Sequence, residues 1–220
     1  MKNYLTEFIG TFFLVLVIGL VTSQPLPVIN NSLLAPFAIG SILMVMVYMG
    51  GNISGAHYNP AVTLAVMMRK KISGAEAIGY MISQLCGALA AAITFYIIFK
   101  LTMSPVTPVS GFQYNIKPML LEMLFTFALA SVVLNVATTK KAAGNSYYGL
   151  SIGFTVAAAA AAAGPYSGGS FNPAVTLGPM MMDTVMGGSS LGNAWFYLIG
   201  QFGGAAIAAF LFSKMNPDEA

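Results

Sequence analysis

Asn59-Pro60-Ala61-Val62-Thr63-Leu64 recurs unchanged as Asn172-Pro173-Ala174-Val175-Thr176-Leu177. Asn followed by Pro-Ala is a helix-start signal. The Asn side chain caps free N–H groups, and Pro takes the first turn, where its missing N–H leaves nothing unpaired. Each copy follows a long apolar run and opens a short helix, ending near Met68 or Met182, that is too short to cross a bilayer alone. Irregular backbone ahead of such a helix is tolerated in a membrane only where it packs on protein or lines a cavity. The two hexapeptides therefore predict a pair of re-entrant half-helices that face a cavity.

Composition supports a membrane setting. Of 220 residues, 57% are hydrophobic and 7% charged, and mean hydropathy is +0.79. A soluble domain carries about a quarter charged residues, so this chain reads as an integral membrane protein in a lipid bilayer. The net charge of +3 comes with no basic patch interleaved with aromatics, which argues against nucleic acid as a partner. One His, one Cys and six acids do not supply a nucleophile–base–acid set, and no metal-ligand cluster stands out. No enzyme, metal or cofactor is expected. Cys86 cannot form an internal disulfide and reads as a small packed side chain. Lys2, the apolar run 12–21 and Thr22-Ser23 have the outline of a signal peptide. Glu7 and the match of this segment to one in the second half speak against it.

Six spans are expected, over about 4–21, 33–50, 77–99, 119–136, 148–163 and 194–212. The two halves align. Glu7 and Thr11 match Glu122 and Thr126, an offset of 115; Ile39-Gly40 matches Ile152-Gly153, an offset of 113; Gln84 with Gly87-Ala88 matches Gln201 with Gly204-Ala205, an offset of 117. Landmarks in one order with little drift mark an internal repeat. The whole chain, 1–220, reads as one all-α membrane domain, with repeats over about 1–100 and 117–215. Three spans per half is an odd number, so the halves enter the membrane in opposite senses as an inverted repeat. Small residues (Gly10, Gly87, Gly200, Gly203, Gly204 and the alanine run within 157–163) allow close helix approach; the alanine run reads as a thin wall facing a partner or a lumen.

Lys and Arg set the expected orientation. With both termini cytoplasmic, the inner loops hold Lys2, Arg69, Lys70, Lys71, Lys140, Lys141 and Lys214, and the outer loops only Lys100 and Lys117. The half-helices then enter from opposite sides with their positive N-termini meeting near the midplane. A cation or proton is repelled there, while a neutral molecule is not. Asn59 and Asn172 can each offer an amide donor to a passing oxygen, whose hydrogens then point away from the centre and interrupt a proton wire. The stretches before them, Gly55-Ala56-His57-Tyr58 and Gly168-Gly169-Ser170-Phe171, must be non-helical, so their carbonyls can form a ladder of acceptors.

Other polar residues have two readings. Glu7 and Glu122 are costly in a membrane, so an ion or proton relay is one reading. The other has each carboxylate accept backbone N–H groups and fix its own loop, which suits their equivalent positions better. Gln84 and Gln201 read first as interhelical hydrogen bonds. His57 reads as a loop anchor before a pH sensor. Met180-Met181-Met182 reads as packing before a soft-metal site.

These residues resemble the aquaporin (major intrinsic protein) family over nearly the whole chain. Glu-Phe-Ile-Gly-Thr at 7–11, Ile-Ser-Gly-Ala-His-Tyr-Asn-Pro-Ala-Val-Thr at 53–63 and Gly-Gly-Ser-Phe-Asn-Pro-Ala at 168–174 carry the likeness. The resemblance implies six spans plus two re-entrant half-helices, a pore in each protomer, a homotetramer, and passive flow of water or small neutral solutes. One departure matters. Family members usually carry Arg after the second Asn-Pro-Ala box, where Val175 stands here. In the family that Arg and three other residues form a narrow outer filter, and the other three positions fall on Ile39, Ala160 and Gly169. Water-selective members tend to place an aromatic and a His at the first two. The Asp that often follows the Arg in glycerol facilitators is Thr176 here. An uncharged, wider outer mouth is therefore expected, admitting solutes of glycerol or urea size. The alternatives are an ion- or proton-coupled secondary transporter, which inverted repeats and broken helices also suit, and a non-conducting adhesion protein of the same fold.

Overall fold

The computed structural model describes residues 1–23, 34–107 and 116–219. Eight α-helices follow in order: α1 (Lys2–Thr22), α2 (Leu34–Ser54), α3 (Pro60–Met68), α4 (Gly74–Phe99), α5 (Ile116–Ala137), α6 (Tyr148–Ser167), α7 (Pro173–Val185) and α8 (Ala194–Met215). All but α3 and α7 are long and apolar enough to cross a membrane. The short pair begins at the repeated hexapeptides.

Several helices outrun their expected ends. Leu33, where the second span was expected to begin, lies outside the described residues. α4 starts at Gly74 rather than 77 because Ser73 caps it, accepting from the Glu76 N–H at 3.2 Å. α2 continues past 50 to Ser54, α6 past 163 to Ser167, and α7 past Met182 to Val185. The apolar runs stop earlier than the helical hydrogen bonding does. The added turns of α2 and α6 deliver Ser54 and Ser167 to buried carboxylates.

Packing respects an exchange of halves. α1 lies against α4 and α2, as α5 lies against α8 and α6; α4 meets α7 as α8 meets α3. α2 meets α6 and α3 meets α7, pairs that the exchange leaves in place. With an odd number of spans in each half, this is the inverted arrangement. At the α2–α6 crossing a Cβ on Gly40 would sit 2.5 Å from the Gly153 oxygen, and one on Gly153 would sit 2.5 Å from the Gly40 oxygen. No side chain fits there. Gly87 and Gly204 likewise abut the backbone oxygens of Phe8 and Met123. Gly203 differs: a Cβ there would meet only the flexible tip of Met123. Large apolar side chains such as Ile97, Leu124 and Phe210 point outward, as a lipid surround requires. Cys86 joins this outward face instead of packing inside, because the inner side of that turn is taken by Gly87 and Ala88.

One end of the bundle is tied by charge. Arg69, just after α3, pairs with the Glu219 carboxylate at 3.0 Å. It also donates to the Glu219 backbone oxygen and to Thr138 Oγ1, and its guanidinium lies 4.5 Å from the centre of the Phe212 ring. The other Glu219 oxygen accepts from the Lys140 N–H at 2.8 Å. Residues about 70 and 150 positions from Arg69 thus close together around one buried cation.

Candidate functional site

Each half builds its loop around one carboxylate. Glu7 Oε1 accepts from Ser54 Oγ (2.6 Å) and the His57 N–H (3.0 Å); Oε2 accepts from the Tyr58 N–H and Gln84 Nε2, both at 2.7 Å. Glu122 repeats this with Ser167 Oγ (2.8 Å), the Ser170 N–H (3.1 Å), the Phe171 N–H (2.7 Å) and Gln201 Nε2 (2.9 Å). Both oxygens of each carboxylate are engaged, and both residues are fully buried. They stand behind the loops and line neither the lumen nor the vestibules described below.

That support holds a strained backbone. Ala56, Tyr58 and Phe171 adopt φ of 53°, 50° and 52°, a left-handed region costly for residues with a Cβ. Sequence reasoning assigned this freedom to glycine, and Gly55, Gly168 and Gly169 do share it. The other three hold it because the carboxylates fix their own or neighbouring N–H groups.

Asn59 Oδ1 caps α3, accepting from the Ala61 N–H at 2.8 Å, and Asn172 Oδ1 caps α7, accepting from the Ala174 N–H at 2.9 Å. Each amide also crosses to the other half. Asn59 Nδ2 donates to the Phe171 oxygen and Asn172 Nδ2 to the Tyr58 oxygen, both at 2.9 Å. One hydrogen of each NH₂ is so used, and the second remains for the lumen that both residues line. His57 is placed by Thr63. Thr63 Oγ1 donates to the Asn59 oxygen and accepts from Gln84 Nε2, so His57 Nδ1, at 3.1 Å, is assigned as the donor to it. The bare nitrogen of the neutral ring is then Nε2, an acceptor.

Three cavities lie in series. A vestibule of about 450 Å³ is bordered by Ile39, Ala160, Gly169 and Val175 among others. It adjoins a central lumen of about 30 Å³, with which it shares Ile18, Ile39, Gly169 and Val175. The lumen shares His57 and Val133 with a second vestibule of about 360 Å³. A water needs roughly 10–15 Å³ measured this way, so the lumen takes a couple of waters at a time. Its wall is apolar (Leu14, Leu43, Leu129, Val156) apart from the asparagines, His57, Tyr58 and Ser170. Among the described residues no Asp, Glu, Lys or Arg lines it.

The residues expected at the site separate in space. Ala56, His57, Tyr58, Gly169 and Ser170 line the lumen; Gly168 lines the first vestibule and Gly55 the second. Phe171 does not line these cavities: its oxygen receives Asn59, and its ring packs on Ala159, Ala163 and Phe125. Pro60, Ala61, Pro173 and Ala174 are buried in the helix starts and border none of the three cavities. All four positions drawn from the family filter border the wide vestibule, and three of them border the lumen as well. The lumen residues Leu14, Leu43, Leu129 and Val156 went unnoticed in the sequence, although Leu14 and Leu129 share the 115 offset of Glu7 and Glu122. Among the described residues no group of His, Cys, Asp and Glu gathers as metal ligands.

Comparison with known proteins agrees with this geometry. The model of the major intrinsic protein family matches residues 1–212. A Lactiplantibacillus plantarum protein named glycerol uptake facilitator protein-like 6 is 36% identical, with both chains fully covered. Aquaporin AqpM of Methanothermobacter thermautotrophicus is 32% identical over 99% of this chain and 98% of that one. The X-ray structure of the aquaglyceroporin from Plasmodium falciparum superposes with a TM-score of 0.86 over 99% of this chain and 98% of that chain; at 18% identity the likeness is one of fold. With six membrane-capable helices among the described residues and a family match over nearly its whole length, this multi-pass membrane chain belongs to the major intrinsic protein family.

Proposed function

We propose that the chain is a passive channel for water and small neutral solutes, with one pore in each protomer. The observation that carries this reading is the pair of amide caps meeting across an uncharged lumen between two vestibules. Helix N-termini aimed at that spot disfavour cations and protons, and the remaining amide hydrogens offer replacement for part of a solute's hydration. An ion or proton relay through Glu7 and Glu122 would need them in the path. Both candidate carboxylates are instead occupied by four donors each, outside it.

The ring Ile39, Ala160, Gly169 and Val175 is the proposed outer filter. Its lack of charge, its small side chains and the open vestibule beside it support passage of solutes of glycerol or urea size. The relative named a glycerol uptake facilitator protein-like protein supports the same class. Osmotic swelling of proteoliposomes tests it: glycerol and urea flux should exceed that of protein-free vesicles. Fast water flow with no solute flux would overturn the wide filter. Val175→Arg should lower solute flux more than water flux, and equal effects on both would count against this ring.

A homotetramer in the plasma (cell inner) membrane, with both termini cytoplasmic, completes the proposal. Family resemblance supports the tetramer. The orientation draws support from Arg69, Lys71 and Lys140, which lie at or beside the second vestibule. Crosslinking in native membranes and protease protection of a tagged N-terminus test these two points.

A further inference from the structure

The lumen wall follows the same exchange of halves as the helices. Every residue lining it except Tyr58 has a counterpart 113 or 115 positions away that lines it too, for example Ile39 with Ile152, Ala56 with Gly169 and Val62 with Val175. The vestibules also correspond: Gly168 and Pro179 border the first where Gly55 and Val66 border the second. A shift of 113 carries Ile39 forward to Ile152, and carries Ala160, Gly169 and Val175 back to Val47, Ala56 and Val62. On the channel reading above, we infer that Ala56, Val62 and Ile152, which line the lumen and border neither vestibule, form with Val47 a second constriction, and that this ring sets the size limit for solutes.

Composition points this way. The two rings share their Ile and their Val. Where the first has Gly169 and Ala160, the second has Ala56 and Val47, one and two carbons larger. Burial agrees. Ala160 is 9% exposed and opens onto the wide vestibule, whereas Val47 is 2% exposed and borders none of the three cavities. Val47 stands on the α2 face that carries the lumen residues Ile39 and Leu43, at successive four-residue steps. It stands, two carbons larger, at the position that Ala160 holds in the other half. Ala56 is buried where Gly169 is partly exposed. Its methyl cannot swing aside: φ is fixed at 53°, its N–H is bonded to Ser54 Oγ at 3.1 Å, and the next two N–H groups are held by Glu7. Two constrictions crossed in turn pass solute at the rate of the slower.

The test is swelling of proteoliposomes in water, urea, glycerol and xylitol. Val47→Ala with Ala56→Gly gives the second ring the composition of the first. It should raise glycerol and xylitol flux several-fold while changing water flux less. Ala160→Val, which tightens the first ring towards the second, should lower glycerol flux by no more than about half, since two equal barriers in turn halve the rate of one. If the double variant leaves the solute series unchanged the inference fails, and a rise with Ile39→Ala then puts the limit at the first ring. Retained water flux reports that each variant folds; should the double variant lose it, Val47→Ala alone decides by the same outcomes. An unaltered protein that passes neither water nor solute above empty vesicles overturns the channel reading itself.

Discussion

Glu7 and Glu122 each gather four donors, and that number determines what substitution does. Glu122→Gln exchanges one accepting oxygen for an NH₂ group that faces donors on either side. At least one buried donor loses its partner, at about 1–3 kcal/mol each. The melting temperature of the detergent-solubilised protein should fall, and Glu7→Gln should lower it comparably because its surroundings are the same. At this scale the sequence was half legible. Two carboxylates at matched positions in a membrane chain announce buried acceptors. The left-handed conformations of Ala56, Tyr58 and Phe171 gave no such signal, because only glycine advertises a positive φ and the cause here lies about 50 residues away in Glu7 and Glu122.

Between elements, the closest constraint is the α2–α6 crossing. A methyl on Gly153 would lie 2.5 Å from a backbone oxygen, which cannot rotate away as a side chain can. Gly153→Ala must therefore part the two helices that carry Ile39, Leu43, Ile152 and Val156 along the lumen. It should lower the melting temperature and alter the ratio of solute to water flux in proteoliposomes. Helix starts at Asn59 and Asn172 were legible, since capping and proline placement are local chemistry. Helix ends were not: the turns through Ser54 and Ser167 are polar, and what extends them is a carboxylate on another helix.

Across the molecule, the tie between Arg69 and Glu219 joins positions 150 apart, and nothing local in either residue foretells it. Burial pushes the Glu219 carboxyl up, but the backbone N–H groups of Lys140 and Lys141 and the Arg69 guanidinium together outweigh it and hold the group below the usual carboxylate range. A lowered value stabilises the folded state above the ordinary pKa of about 4.3 and loses that contribution as pH falls through the folded value. In thermal melts, the unaltered protein should exceed Glu219→Gln by a constant margin from neutral pH to roughly pH 4–5, and the margin should close below that. The inverted halves were legible at this scale because symmetry leaves repeated letters. The clamp has no counterpart in the other half to betray it.

The crossed amide bonds, Asn59 to Phe171 and Asn172 to Tyr58, also govern how the chain is made. The partner of Asn59 leaves the ribosome 112 residues later, on the order of ten seconds at ordinary synthesis rates. Until then the Asn59 amide lacks its partner across the lumen. Both crossed bonds need both segments, so neither tip is complete until the second half is in place.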